Sequence, residues 1–204
     1  MPDPDLPQLG TNGRIVEGII TTINRDRSTN ISPMGPIIDP QFSYFVLRPF
    51  RTSTTYQNLK RTGQAVFHIT DDVRLFAQAA LGTPSPLPSM RSAGRIEGQI
   101  LTAACRWYAL QVTALDDDSE RTHIRAKCVD QGRLRDFLGY NRAQHAVLEA
   151  AILATRIQLL QAEDILAELN RLESPVKKTA SHVERETFDF LCEHIRSQIA
   201  TDKT

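Results

Sequence analysis

The sequence predicts a mainly β fold with α, a β-barrel or sandwich of mainly antiparallel strands followed by helices. Three observations carry this. Up to about residue 130 the chain alternates short runs rich in β-branched and aromatic residues with Gly, Pro, Asn and Asp. Those runs follow one another through short turns and two short helix candidates, without the regular helical crossovers of a doubly wound sheet. From residue 131 the composition shifts to Ala, Leu, Glu and Arg at helical spacing. The division expected is therefore a disordered, acidic and proline-rich arm over 1–13, a barrel domain over 14–130 and a helical segment over 131–204.

The elements follow in order. Arg14 to Asn24 is dense in β-branched residues and reads as a strand, and Asn30 to Ile38 as its hairpin partner across the polar turn Arg25 to Thr29. Pro33 and Gly35 break the second strand or put it at an edge, because proline cannot donate to a ladder. Gln41 to Leu47 is a third strand, Thr55 to Arg61 a short helix, Gln64 to Thr70 a fourth strand and Val73 to Leu81 a second helix. Gly82 to Gly94, with three prolines and three serines, is a surface loop. Strands follow near Arg95 to Ala103, Arg106 to Leu115 and Thr122 to Val129. Helices are expected over Leu134 to Leu138, over Arg142 to Leu172 with a break near Gln161 to Asp164, and over Val183 to Ile199. Ser181 is placed to cap the last of them, with Glu184 completing a capping box.

Composition excludes several classes. The 204 residues carry 24 Lys+Arg and 24 Asp+Glu, a formal net charge of zero. A neutral chain does not neutralise many phosphates, so no nucleic acid is expected as a partner. The most apolar stretch, Ala146 to Leu160, contains Glu149 and Arg156, too short and too charged to span a membrane, and no signal peptide is expected at the N-terminus. Cys105, Cys128 and Cys192 lie far apart, an odd set without a CxxC, which reads as reduced thiols in a cytoplasmic protein. The five histidines show no metal-ligand spacing, so no metal is expected. GxSxG, HExxH, Walker A and GxGxxG are all missing, leaving catalytic residues unassigned.

The charges are not evenly mixed. Between Asp39 and Asp71 there is no acidic residue, while Arg48, Arg51, Lys60 and Arg61 remain beside the hydroxyl run Thr52-Ser53-Thr54-Thr55, followed by Asn58. Hydroxyls, free N–H groups at a helix N-terminus and an arginine form an anion site, with phosphate the natural guest. The same residues also suit a plain N-cap with a solvated basic face. Asn30-Ile31-Ser32-Pro33-Met34-Gly35 is the second feature: either backbone groups left for a ligand, or a bulge at a sheet edge. Arg142, Glu149, Arg156 and Glu163 recur every seven residues and share a helix face, where Glu149 and Arg156 read as an architectural pair. Trp107 reads as core, with the wall of a pocket as its other reading.

Residues 17–37, EGIITTINRDRSTNISPMGPI, and residues 50–70, FRTSTTYQNLKRTGQAVFHIT, resemble the FMN-binding split-barrel proteins of the flavin-reductase-like branch. The chain is most similar to the uncharacterised archaeal-type family called domain of unknown function 447. There GYNRAQHAVLEAAILATRIQLL, 139–160, and VKKTASHVERETFDFL, 176–191, match too. The resemblance implies an FMN-binding split β-barrel with a C-terminal helical segment, working as a homodimer with the flavin near the interface. It implies that Arg51, Ser53, Thr54 and Thr55 hold the FMN phosphate, with Asn58 near the ribityl chain or the helix start. It further implies that Ser32, Pro33, Met34 and Gly35 line the isoalloxazine ring, with Thr21 and Thr22 as further contacts. The activity implied is oxidoreduction between a reduced nicotinamide and a small-molecule acceptor, for which a pterin-like compound is compatible. The alternatives are a binding module that holds flavin or another phosphorylated cofactor without turnover, and a structural dimer with a vestigial site. The turn NRDRSTN departs from the Asp-Gly turn common in these proteins and leaves its geometry open.

Overall fold

The computed structural model describes residues 6–82 and 84–201. These form two compact units. One holds the chain up to Thr70 together with Pro86–Asp136; the other holds Asp71–Ser85 and Phe137 onward. The boundary expected at 130/131 thus falls after Asp136, and the segment 71–85 goes with the C-terminal helices. Of the expected arm, 1–5 lie outside the described residues, whereas the part from Leu6 is ordered. Gln8 N–H is bonded to Asn12 Oδ1 at 2.8 Å, and Gly13 N–H to Gln8 O at 2.9 Å.

The first unit is built on ten strands and one helix: β1 Arg14–Ile15, β2 Gly18–Ile23, β3 Thr29–Met34, β4 Ile37–Ile38, β5 Tyr44–Leu47, α1 Thr54–Thr62, β6 Gln64–Ile69, β7 Met90–Ser92, β8 Gln99–Leu101, β9 Arg106–Asp116 and β10 His123–Arg133. Eight of them form one antiparallel sheet in the order β1-β4-β5-β10-β9-β6-β2-β3, and β7 pairs with β8. The register shows how this sheet closes. Arg14 pairs with Ile38, Ile15 with Ile37, Gly18 with Met34 and Ile23 with Thr29, one unbroken register for a single long hairpin. Val16 N–H to Pro36 O, 3.3 Å, carries it across the gap. Half of that hairpin joins β6 and the other half joins β5. The two ends of the sheet are therefore parts of the same two strands, and the sheet curls on itself as a half-barrel of the flavin-reductase-like split-barrel type.

The hairpin turn solves its geometry without glycine. Arg27 takes φ 70, the left-handed region, while Asp26 Oδ1 accepts from Ser28 N–H at 3.0 Å. An Asx turn of this kind offsets the cost of a positive φ at a side-chain-bearing residue. Inside the barrel Ile20, Ile38, Phe45, Leu47, Tyr56, Leu59, Phe67, Tyr108, Leu110 and Ile124 form the core, and α1 contributes Tyr56 and Leu59. A second cluster gathers Val66, Ile96, Ile100 and Trp107 under the β7–β8 hairpin. Trp107 is core, lying over Gly132, where a Cβ would come within 2.5 Å of the indole Nε1.

The second unit holds α2 Val73–Leu81, α3 Arg142–Ala154, α4 Ala162–Thr179 and α5 His182–Thr201. The buried face of α3 is mostly alanine (Ala143, Ala146, Ala150), which lets α2, α4 and α5 approach it closely. The capping box forms: Ser181 N–H donates to Glu184 Oε2 at 2.9 Å, and Val183 N–H to Ser181 Oγ at 3.3 Å. Two helix expectations fail. Leu134 to Leu138 is not helical, because Leu134 and Arg135 N–H both donate to Cys105 O, extending the sheet contact instead. The long helix stops at Ala154. Thr155 Oγ1 bonds Ile152 O at 2.8 Å, and the chain turns until Gln161. Arg156 therefore lies outside α3, and the face expected to hold Arg142, Glu149, Arg156 and Glu163 is broken. Glu149 faces His145 at 3.9 Å, not Arg156.

Candidate functional site

Helix α1 opens where the hydroxyl run ends. Ser53 is its N-cap, with Oγ accepting from Tyr56 N–H at 3.1 Å and donating to Phe50 O at 2.8 Å. No acidic residue occupies the first turn, and Lys60 and Arg61 occupy the last. The N–H groups of Thr54 and Thr55 have no acceptor within the helix, since the first turn has none to give. That end carries partial positive charge.

The side of α1 facing the hairpin is spent on a hydrogen-bond network. Buried Asn58 donates through Nδ2 to Thr22 Oγ1 at 3.1 Å and to Asn24 Oδ1 at 2.7 Å. Asn30 Nδ2 donates to Thr55 Oγ1 at 3.0 Å and to Thr22 Oγ1 at 3.1 Å. Arg61 reaches Ile23 O and, at 3.3 Å, Asn58 Oδ1. Lys60 and the Tyr56 hydroxyl share Asp117. Asn58 and Thr55, bonded to Thr22, Asn24 and Asn30, therefore hold α1 against the hairpin, which sets the direction of its N-terminus.

The cations gather upstream of the cap. Residues 48–51 run antiparallel to 120–122: Arg51 N–H bonds Glu120 O at 2.9 Å, Thr122 N–H bonds Pro49 O at 3.0 Å, and Arg121 Nε bonds Arg48 O at 3.4 Å. Arg121 also lies over the Phe50 ring, 5.7 Å from its centre. Arg48 Nε is buried and meets no hydrogen-bond acceptor, alone in this among the described side chains. Burial and the neighbouring Arg121 push the Arg48 pKa down, while Glu17 draws it back up. A buried N–H without an acceptor is costly unless a ligand supplies one.

Arg48 follows directly on β5. Leu47 pairs with Ile124 and Phe50 bridges Arg121, so Arg48 lies between two pairings with the β10 side, next to where β4 and β5 end their pairing at Ile37 and Val46. The hairpin register sets Glu17 opposite Gly35. Gly35 offers a notch there: an added Cβ would lie 2.6 and 2.8 Å from the Glu17 carboxylate oxygens.

The structure does not unite all nine sequence-predicted site residues. Arg51, Ser53 and exposed Thr54 sit together before and at the helix start; Thr55 and Asn58 are buried in the network just described. Ser32 and Met34 share a strand face with Asn30, and Met34 packs against the barrel core, whereas Pro33 and Gly35 alternate to the opposite face. Arg48 belongs to the acid-free window without a motif of its own; Arg121 and Glu17 lie far from it in sequence, and only the fold brings their charges near it.

His68 is structural. His68 is fully buried, bonded through Nδ1 to Ile19 O at 3.1 Å, and its Nε2 accepts from Leu101 N–H at 3.1 Å. Among the described residues no group of His, Cys, Asp and Glu could hold a metal ion, and no helix is long and apolar enough to cross a membrane. All three cysteines are free thiols.

The fold and its parts have counterparts. An FMN-bound protein from Methanosarcina mazei is similar in structure, with a TM-score of 0.76 and 22% identity over 88% of this chain and 94% of that one. A flavin reductase domain protein from Arthrobacter sp. FB24 is similar at a TM-score of 0.50 and 15% identity, over 59% of this chain and 79% of that one. No curated protein matches. The family model described as "Protein of unknown function (DUF447) N-terminal domain" matches residues 16–135, and "Protein of unknown function (DUF447)" matches residues 141–193. With both models matched across barrel and helices, the chain belongs to the DUF447 family.

Proposed function

We propose that this protein is an FMN-binding flavoprotein and that it works as an oxidoreductase. One observation carries the reading: the guanidinium of Arg48, with its buried Nε lacking an acceptor, stands beside Arg121 in a stretch free of acids that leads into the N-terminus of α1. A dianionic phosphate supplies the missing acceptor and offsets the repulsion between the two guanidiniums. Arg48, Arg121 and Arg51 are the cations for it, with the free N–H groups of Thr54 and Thr55 close along the chain. The Ser32–Gly35 strand, at the edge of the sheet, is the segment to meet the flavin ring. The FMN-bound relative in the same family supports the choice of cofactor.

Bound there, FMN would supply hydride or electron transfer between a reduced nicotinamide and a small acceptor. The residues of the chain bind the phosphate, orient the helix through Asn58 and leave the reacting groups to the cofactor. The same reading includes a homodimer, since β3 ends the sheet with one edge unpaired, and a cytoplasmic setting, which three free thiols suit.

The test is a titration with FMN and riboflavin followed by flavin fluorescence. Arg48→Ala is expected to weaken FMN by about 10- to 100-fold, the loss of a charge-assisted hydrogen bond, and to leave riboflavin nearly unchanged. Bleaching of the flavin absorbance by NADH or NADPH supports turnover. Flavin that stays oxidised with both supports the binding module, and a protein retaining neither flavin refutes the proposal.

A further inference from the structure

We propose that Phe50 is a positioning residue of the anion site, its ring holding the guanidinium of Arg121 in place for a phosphate shared with Arg48. The inference rests on the flavin reading above and adds a residue whose side chain has neither charge nor hydrogen-bonding group. It comes from three contacts that meet at Phe50. The backbone of Phe50 forms an antiparallel bridge with Arg121. Its carbonyl oxygen accepts from Ser53 N–H at 2.9 Å and from Ser53 Oγ at 2.8 Å, at the N-cap of α1. Its ring lies beneath the Arg121 guanidinium, whose central carbon is 5.7 Å from the ring centre.

Little else restrains Arg121. It is exposed, and among the described residues its guanidinium bonds one acceptor, Arg48 O, from Nε at the long distance of 3.4 Å. Both Nη groups are left to donate. Two effects work against keeping that guanidinium next to Arg48. Arginine has many rotamers to lose, and two cations side by side repel. The Phe50 ring works the other way, because the negative face of its π-system attracts a cation without using up N–H donors. Arg121 is thus ordered before an anion arrives, and a ligand meeting a preordered cation binds more tightly. Arg48 supplies the other half of the site, with a buried Nε that meets no acceptor. The Phe50 side chain is 54% exposed and lies outside both core clusters of the barrel. Its bonds to Ser53 and its bridge to Arg121 are made by the backbone, so a change of side chain leaves them in place.

The test is a double-mutant cycle with FMN and riboflavin as probes, read by flavin fluorescence. Phe50→Leu is expected to weaken FMN about fivefold and to leave riboflavin unchanged, since only FMN has the phosphate. Phe50→Trp, whose ring attracts a cation more strongly, is expected to bind FMN at least as tightly as the wild type. In an Arg121→Ala background, Phe50→Leu should cost FMN nothing further. Both Phe50 variants should keep the wild-type thermal midpoint, because the ring is exposed. A merely structural role would weaken both flavins alike, with Arg121 or without it. Unchanged FMN affinity in Phe50→Leu, an equal loss for both flavins, or a loss that persists in the Arg121→Ala background overturns the role of Phe50, while Arg48→Ala still separates FMN from riboflavin. If Arg48→Ala fails to separate them, or the wild-type chain retains neither flavin, the reading of the site falls and the role of Phe50 with it.

Discussion

Burial of His68 sets an acid limit on the stability of the barrel. Desolvation pushes its pKa down from 6.5 to about 4, only partly opposed by the bond to Ile19 O. Both ring nitrogens have assigned partners: Nδ1–H donates to a carbonyl, and Nε2 accepts an amide N–H, so a second proton would break the bond to Leu101. The neutral ring is thus the form the fold holds. Because the folded pKa lies below the unfolded one, the unfolded state takes up the proton first as pH falls. Full stability is present above about pH 6.5 and is lost progressively down to about pH 4, below which the effect levels off. A shift of about 2.5 units corresponds to about 3 kcal/mol at 1.36 kcal/mol per unit. Carboxylates titrate in the same range, so the quantity to measure is the difference between wild type and His68→Gln in urea unfolding at pH 7.5 and pH 4. The wild-type advantage should shrink by about 3 kcal/mol between the two. A complementary NMR titration should show the His68 ring neutral, with the proton on Nδ1, down to about pH 5. A ring that titrates near 6.5, or two stability curves that stay parallel, would refute the reasoning.

Three further outcomes follow from single contacts. Gly18→Ala puts a Cβ into the His68 carbonyl and within 2.7 Å of Phe67 Cζ, both in the barrel wall, so it should cost several kcal/mol and lower soluble yield and thermal midpoint sharply. Asn58→Ala leaves buried Thr22 and half-buried Asn24 each short of a donor and should lower stability by about 2 kcal/mol in chemical denaturation; an unchanged midpoint would show that the network does not hold α1. Ser181→Ala removes the cap of α5 and should cost about 1 kcal/mol. The Glu184 carboxyl, which burial raises but hydrogen bonds from Ser181, its own backbone N–H and Gln144 together more than offset, should titrate higher in that variant by NMR.

What the sequence made legible depended on how local its cause was. The hairpin, α1, α2 and the capping box at Ser181 each rest on residues within a few positions of one another, and each was found close to its expected bounds. Leu134–Leu138 has helix-forming side chains, but the N–H groups of Leu134 and Arg135 are claimed by Cys105 O, a partner some 30 residues away, and that of Leu138 by the Asp71 carboxylate, partners that no local pattern reveals. The strand expected over Arg95 to Ala103 shortens to Gln99–Leu101, because Ala93 and Ile96 are drawn into a cluster with Trp107. The candidate site divides in the same way. The acid-free stretch and the N-cap could be read from composition. The pairing that sets Glu17 across from Gly35, and the bridge of Phe50 with Arg121 that brings Arg121 beside Arg48, exist only once distant segments are in register.

The continuous register of the long hairpin bears on how the molecule assembles. A closed or half-closed sheet ordinarily needs its first and last strands to find each other across most of the chain, with a large loss of loop entropy. Here both sheet ends belong to two strands joined by a five-residue turn, Asn24–Ser28, so the clasp can form early and cheaply from neighbours in sequence. The slow steps are then the pairings of β5 with β10 and of β6 with β9, which bring distant residues onto a preformed frame. Lengthening the turn should barely alter the folding rate, whereas a single residue inserted at Val16 would throw β1 out of step with β4 and close the barrel on the wrong faces.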